Sequence, residues 1–179
     1  MGASTYWQHR SEGAAEELFA AQRMPRGSDA RVSKLEEVAS DYSRTPAGRA
    51  AMMELGGIYF ERKDYDKAQE TFGMLAGRSR NHPMLKIAAL HRIAETQLAK
   101  GDPKSAAETY LKAAADPSNL IGPESRLRAA AAFEAADDAD RAAALYKQVI
   151  EDAKETDRAA REKAEERLIW MTAENRIAK

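Results

Sequence analysis

Residues 52–72 constrain the fold more than any other stretch, because they place two helical patterns on either side of one tight turn at residues 63–64. The packing positions are Leu55, Gly56 and Tyr59 before the turn and Ala68 and Phe72 after it. Small residues such as Gly56 and Ala68 let two helices approach closely, and the larger side chains fill the space around that contact. The stretch therefore predicts a helical hairpin with an apolar seam.

The second half of this pattern occurs again later in the chain. A small residue followed four positions later by an aromatic one is found at Ala106 and Tyr110, and again at Ala142 and Tyr146. The interval is 38 residues from Ala68 to Ala106 and 36 residues from Ala106 to Ala142. A near-constant period of this length is typical of a helical repeat array.

The first helix of each unit also keeps a small residue at the matching place. Counting back from Ala106 and Ala142 by the interval that separates Gly56 from Ala68 gives Ala94 and Ala130. A weaker copy precedes these units, with Leu35 at the aromatic position and Arg31 where a small residue is expected. The array is therefore predicted to begin before residue 45.

The motif resembles the tetratricopeptide repeat (TPR), whose pattern is W-x-x-L-G-x-x-Y followed by A-x-x-x-F. Met52 stands where the tryptophan would be. The resemblance implies an all-α, right-handed TPR-type solenoid of about nine helices with a C-terminal capping helix. We expect one domain over residues 5–179, with repeats and cap at about 12–45, 49–82, 87–120, 123–156 and 156–177. Residues 1–4 are interpreted as a cloning remnant before a chain that began earlier.

Composition narrows the classes of function. The formal net charge is −1, although 32% of the residues are charged, so a nucleic-acid or polybasic membrane role is not indicated. A local basic patch remains compatible with these numbers. The chain has no cysteine, which removes disulfides and thiolate ligands. It has no apolar run long enough to span a bilayer and no apolar segment typical of a signal peptide within residues 1–25.

No constellation of residues typical of an enzyme is recognised. His9, His82 and His91 lack the three- or four-residue spacing of helical metal ligands. Adjacent carboxylates such as Glu16-Glu17 do not face one another on a helix. The sequence has neither a glycine-rich phosphate loop nor a G-x-S-x-G motif. We therefore predict a protein without catalytic residues, cofactor or metal.

The TPR resemblance implies a concave groove lined by the first helix of each repeat, which binds an extended peptide or a partner helix. The implied groove positions are Met53, Gly57, Phe60 and Glu61, then His91, Glu95 and Leu98, and then Glu124, Leu127, Ala131 and Glu134. Phe60 is interpreted either as an exposed anchor near Leu98 and Leu127, or as a residue covered by the N-terminal helix or a loop. His91 is expected to be solvated or groove-facing. The carboxylate clamp of one branch of the family is not expected, since Met53 and Gly57 occupy its Lys and Asn positions.

A looser resemblance concerns cellular location. The segment 38–50 is similar to a linker of bacterial envelope repeat proteins, and Tyr6, Trp7, His9 and Arg10 resemble a sequence just outside a bilayer. The layout resembles YfgM-like translocon-associated proteins, and also outer-membrane-assembly and Tol-Pal-associated repeat proteins. This implies a periplasmic or envelope-facing chain tethered by an N-terminal helix. The alternatives are a cytoplasmic protein and a terminal helix whose aromatics cap the core.

Two hypotheses of function follow. The first is a non-catalytic scaffold that binds a protein or peptide partner through the groove and takes part in protein translocation or envelope assembly. The second is a self-assembling structural repeat protein that forms a homo-oligomer through its alanine-rich edges or its last helix. An apolar patch around Ile169, Trp170 and Ile177 would favour the second hypothesis.

Overall fold

A computed structural model describes residues 2–174 and 177, with side chains described from Thr5 onward. All regular structure in these residues is helical, as predicted. The α-helices are α1 Gly2–Gln22, α2 Asp29–Asp41, α3 Pro46–Glu61, α4 Tyr65–Arg78, α5 Pro83–Ala99, α6 Pro103–Ala114, α7 Gly122–Ala135, α8 Ala139–Asp152 and α9 Arg158–Ala173. A 3-10 turn, Glu155–Asp157, precedes α9. No helix among the described residues is long and apolar enough to cross a membrane.

The chain forms two compact units, Met1–Ala89 and Leu90–Lys179, and the division falls within α5. The first unit contains α1 to α4 and the start of α5. The second contains the rest of α5 and α6 to α9. The expectation of a single domain over residues 5–179 stays a prediction.

The turn inside each repeat has the same construction in three places. A residue with positive φ ends the first helix: Lys63 (62°), Gly101 (81°) and Asp137 (56°). The aspartate that follows caps the second helix, and Asp64, Asp102 and Asp138 each accept a hydrogen bond from the backbone N–H three residues later. The N–H of the same aspartate donates back to the carbonyl five residues earlier, at 2.9 Å in all three turns. This pairing satisfies the end of one helix and the start of the next.

The predicted seam of the central repeat lies between α3 and α4 in the first unit. Ala68 and Phe72 are fully buried, and Leu55 and Tyr59 are almost so. Gly56 faces the Phe72 ring directly, so the small and large positions of the motif are in contact. The prediction that Ala68 is buried in this seam is confirmed.

The equivalent small and aromatic positions of the repeat motif are also buried in the second unit. Ala94, Ala106, Ala130 and Ala142 have no exposed surface. Tyr110 and Tyr146, at the aromatic position, are 2% and 1% exposed. They belong to one apolar cluster that also includes Phe133 and Met171. The register inferred from the repeat spacing is therefore confirmed in α5 to α8.

The atypical Arg31 of the first repeat has a specific place. Its guanidinium donates to Glu54 of α3 and to the carbonyl oxygens of Gln22 and Met24. Leu35, at the aromatic position, is fully buried. Arg31 therefore links the end of α1 to α2 and α3. In the other repeats this position holds a small residue at a close contact between two helices.

The last helix is shorter than predicted. α9 ends at Ala173, whereas the capping helix was expected to reach residue 177, and residues 175, 176, 178 and 179 lie outside the described residues. Ala160, Ala164 and Met171 face the core, as the spacing predicts. Ile177 also packs against the core cluster, so it is not part of an exposed patch.

Candidate partner-binding groove

The groove positions of the first unit lie on α3. Met53 and Gly57 are half-buried, while Glu61 is exposed and pairs with Arg26 across 2.6 Å. Phe60 is half-buried, and its ring meets that of Tyr65 edge-on with centroids 5.6 Å apart. Tyr65, the first residue of α4, therefore covers part of the Phe60 ring, and the role of Phe60 in the groove stays a prediction. These positions offer a partly apolar surface with a carboxylate at its end.

His91 is held inside the second unit. Its Nε2 lies 2.8 Å from the hydroxyl oxygen of Ser125, which is fully buried. Its ring stands at 89° to that of Tyr110, with centroids 5.2 Å apart. The hydroxyl of Ser125 donates to the carbonyl oxygen of Ile121 and accepts from the Asn119 amide, so His91 Nε2 donates the remaining bond. His91 is therefore a half-buried link between α5, α6 and α7 and not a fully solvated ring, while its place in the groove stays a prediction.

Charged side chains of α5 and α7 surround this histidine. Glu95 lies 2.7 Å from Arg92 and 3.6 Å from Arg128, and Arg128 also pairs with Glu124 at 3.3 Å. Burial, and then the positive charge of Arg128, lower the pKa of His91. Burial also raises the pKa of Tyr110. Both rings are consequently favoured in their neutral forms.

A cavity of about 600 Å³ lies between α7 and α9. We call it the α7–α9 cavity; its lining residues are Leu127, Arg128, Ala131, Glu134, Ala135, Tyr146, Lys163, Glu166 and Arg167. Leu127, Ala131 and Glu134 are predicted groove positions, and the structure brings them to one wall. Leu98, another predicted position, is exposed but does not line this cavity.

Glu134 is the polar centre of this cavity. It is 9% exposed, and it accepts hydrogen bonds from the Tyr146 hydroxyl at 3.1 Å and from Arg167 Nε at 3.2 Å. A second guanidinium nitrogen of Arg167 also donates to it. Burial, and then the charge of Glu134, raise the pKa of Tyr146 to about 12. The buried carboxylate is thus fully paired, and the cavity keeps an apolar wall beside fixed polar groups.

Comparison with known proteins identifies the fold family. Residues 1–120 match the family described as tetratricopeptide repeat-like domain, and residues 124–156 match the family described as tetratricopeptide repeat. The chain belongs to the tetratricopeptide repeat-like family. Proteins of this family generally mediate protein–protein interactions or act as scaffolds, without catalysis of their own. The comparison with curated proteins gives no match.

Solved TPR structures share the architecture. Two crystal structures of nearly identical TPR-like repeats come from a Podosopora anserina protein assigned as a kinesin light chain, one of them a point variant of the other. They match with a TM-score of 0.53 at 18% and 19% identity, covering 97% of this chain and 96% of theirs. At this identity the likeness shows the TPR fold alone.

The basic side chains that line the α7–α9 cavity were not predicted. The groove positions implied by the repeat pattern do not include Arg128, and the last helix is predicted as a cap. The sequence of α9 does indicate where two of these basic residues lie. Lys163 directly precedes the buried Ala164, and Arg167 directly precedes the half-buried Leu168. That placement puts both cations at the border of the core face, where they reach the wall formed by α7.

Proposed function

We propose that this protein is a non-catalytic scaffold that binds a segment of a protein partner in the α7–α9 cavity. The observation that carries the proposal is the cavity itself, where three predicted groove positions meet a second wall from α9. A volume of about 600 Å³ lies within the range of binding pockets, roughly 300–1,000 Å³. It can take one or two anchoring side chains of a peptide or helix.

The lining indicates what such a segment carries. Leu127, Ala131 and Ala135 provide an apolar strip for an aliphatic or aromatic anchor. Glu134 and Arg167 neutralise each other, while Lys163 at the rim takes part in no ion pair among the described residues. An acidic residue flanking an apolar anchor therefore fits best, since it would pair with Lys163 without competing for a buried group.

We further propose that the chain is the soluble part of a membrane-anchored envelope protein involved in protein translocation or envelope assembly. Tyr6 and Trp7 support this proposal, because both are exposed and their rings meet at 76° with centroids 5.9 Å apart. Exposed aromatics near Arg10 are suited to a membrane–water interface.

Site-specific photocrosslinking in the native cells tests both parts. A photoreactive residue at Ala131, in the cavity, is expected to capture one protein partner that mass spectrometry then identifies. The matched control is Ala144, which is exposed on α8 and outside the cavity. Equal capture at both positions, or none at Ala131, would contradict the cavity as the binding site. A captured partner from the cytosol would contradict the envelope role alone.

Self-assembly remains the second candidate because Ile169 is 72% exposed and Trp170 is 39% exposed on the outer side of α9. The third residue of the expected patch, Ile177, packs on the core, and the Trp170 ring is covered by the Arg167 guanidinium at 4.3 Å. This leaves a small apolar surface for a dimer contact. Sedimentation of the wild-type protein and of Ile169→Lys distinguishes the two candidates, since only a self-assembling chain would change its mass.

A further inference from the structure

A basic cluster in the first unit lies apart from the predicted groove. Two segments supply it: the connector between α2 and α3 with the start of α3, and the end of α4 with the connector that follows it. We define the arginine cluster as Arg44, Arg49, Arg78, Arg80 and His82. These residues line a single cavity of about 470 Å³ together with Gly77 and Asn81. Because the whole chain has a net charge of −1, this concentration of positive charge is local.

None of the described residues that line this cavity carries a carboxylate. Three other arginines of the same unit have acidic partners: Arg26 pairs with Glu61, Arg31 with Glu54, and Arg62 with Asp29. Among the described residues, no member of the arginine cluster takes part in an ion pair. Like charges held together without counter-charges repel one another, so the arrangement favours binding of an anion.

Arg49 makes this argument stronger because it is buried. Its exposure is 8%, and within the described part of the chain its guanidinium donates one hydrogen bond, of 2.8 Å, to the carbonyl oxygen of Arg44. A guanidinium has several further N–H donors in a planar fork, and a buried cation without a counter-charge is costly. Arg49 also lines the cavity, so an anion bound there would receive its remaining donors.

A second cavity, of about 400 Å³, shares Arg49, Asn81 and His82 with the first. Its other lining residues are Pro46, Pro83, Met84 and Leu85. The charged space therefore continues into an apolar one. A ligand that fills both carries an anionic group directly attached to an apolar group.

We propose that the arginine cluster binds the phosphoryl group of a phosphate monoester, and that the adjoining cavity binds the apolar part of the same molecule. A phosphate monoester fits better than a carboxylate for two reasons. It offers three acceptor oxygens to guanidiniums that approach from different segments of the chain, and it carries up to twice the negative charge. The site lies outside the α7–α9 cavity, so it does not depend on the protein-binding function proposed above.

Calorimetric titration of the full chain tests the proposal, with hexyl phosphate and inorganic phosphate as probes at constant ionic strength. Hexyl phosphate is expected to bind saturably and about tenfold more tightly than inorganic phosphate, because only it fills the apolar cavity. Arg78→Gln combined with Arg80→Gln removes two exposed members of the cluster and should weaken binding by at least about tenfold. The matched control is Arg23→Gln, an exposed arginine outside the cluster, which should bind as the wild type does.

Two further variants separate the parts of the site. Arg49→Lys keeps the buried charge but loses the fork, and it should weaken binding of both probes. Met84→Ala should weaken hexyl phosphate only. Cosedimentation with vesicles of phosphatidylcholine, with or without phosphatidic acid, identifies the source: selective binding to phosphatidic acid indicates a lipid, and hexyl phosphate binding without it indicates a soluble ligand.

The outcomes that overturn the proposal are distinct. Absence of saturable binding of hexyl phosphate in solution together with absence of selective binding to phosphatidic acid vesicles removes the site. Equal weakening by the double variant and by Arg23→Gln shows that the cluster acts only through general charge. Equal affinity for hexyl phosphate and inorganic phosphate removes the apolar cavity from the proposal.

Discussion

Gly56 and Phe72 touch so closely that no side chain fits between them. A Cβ atom built on Gly56 would lie 2.6 Å from Cε1 of the Phe72 ring and 2.8 Å from Cδ1 and Cζ. Real Cβ atoms do not approach so near, and the ring is fully buried, so it has little room to withdraw. The repeat motif specifies a glycine in α3 and an aromatic residue in α4. These two positions are therefore in direct contact with each other.

Gly56→Ala is expected to destabilise the protein by ~1–3 kcal/mol, because overpacking outweighs the higher helix propensity of alanine. The matched control is Gly73→Ala in α4, where an added Cβ meets no atom within 4 Å. That variant should gain roughly 0.5–1 kcal/mol. Urea unfolding measures both changes. If the two variants are equally stable, the Gly56–Phe72 contact does not limit the packing of α3 on α4.

Ala68→Leu tests the other small position of the same seam. Ala68 is fully buried, so the extra atoms of leucine have to displace neighbouring side chains. The expected cost is ~1–3 kcal/mol, a large share of the ~5–15 kcal/mol typical of a domain. Ala50→Leu, at an exposed position of α3, is the control and should have little effect. An unchanged melting temperature for Ala68→Leu would show that the seam adapts to volume.

Replacing Arg167 should lower the stability of the protein, because the buried carboxylate of Glu134 then loses its cationic partner. In Arg167→Ala the carboxylate keeps only the Tyr146 hydroxyl among the bonds described above, and we expect a loss of ~1–3 kcal/mol, since Arg167 is itself partly exposed. Arg161→Ala is the control on the same helix: its pair with Glu165 is exposed, and its loss should cost less than about 1 kcal/mol. Chemical denaturation compares the two. Similar losses would mean that Glu134 finds another partner or becomes solvated.

Much of the fold could be predicted because the helices of each repeat pack through residues at the same motif positions. Ala106 with Tyr110 and Ala142 with Tyr146 copy the seam of α3 and α4, so one motif located three pairs of helices. Gly48 has to be a glycine, because a side chain there would fall onto the carbonyl oxygen of Tyr42, and this requirement was not predictable in this way. It depends on the path of the backbone at Tyr42, a connector whose conformation no periodic pattern specifies. The end of α9 at Ala173 was likewise missed, because a helical pattern continues past it.

The sites were less predictable because they depend on side chains from separate elements. Leu127 and Glu134 could be placed on the correct face of α7 by spacing alone. Their partner Arg167 could not, since the facing of α9 depends on tertiary packing. The arginine cluster combines residues 44–49 with residues 78–82, and the balanced net charge gives no sign of it. The candidate binding sites can therefore be recognised only once the fold shows which segments lie together.

His91 should make stability depend on pH in a defined direction. Because burial and Arg128 lower its pKa in the folded state, the unfolded chain binds more protons at mildly acid pH. The contribution of neutral His91 is thus complete above about pH 6.5, the ordinary histidine value, and declines as the pH falls below it. Glu95 and Glu124 act in the opposite sense and reduce the effect.

Urea unfolding of the wild type and of His91→Gln at several pH values isolates this contribution. Glutamine can still donate a hydrogen bond towards Ser125 but does not titrate. The wild type should lose stability relative to His91→Gln as the pH falls below about 6.5. Parallel pH curves for the two proteins would show that the environment of His91 does not favour its neutral form.

Phe60 provides the last test, since its ring is neither fully exposed nor part of the core. Its edge-on contact with Tyr65 and its half-buried position predict an intermediate cost for Phe60→Ala. Part of the burial term and an aromatic pair of ~0.5–1.5 kcal/mol together suggest a loss of ~1–2 kcal/mol. Phe72→Ala, at a fully buried ring, is the reference and should cost ~3–5 kcal/mol. Thermal and urea unfolding measure both variants under the same conditions.

The same variant tests whether Phe60 belongs to a binding surface. Once a partner has been identified by crosslinking, Phe60→Ala should weaken its binding by at least about tenfold if the ring is an anchor. Tyr65→Phe keeps the ring contact while removing a hydroxyl, so it should leave both stability and binding nearly unchanged. A loss of stability as large as that of Phe72→Ala would assign Phe60 to the core. A stable Phe60→Ala protein that binds its partner normally would remove Phe60 from the groove, because neither packing nor recognition would then depend on the ring.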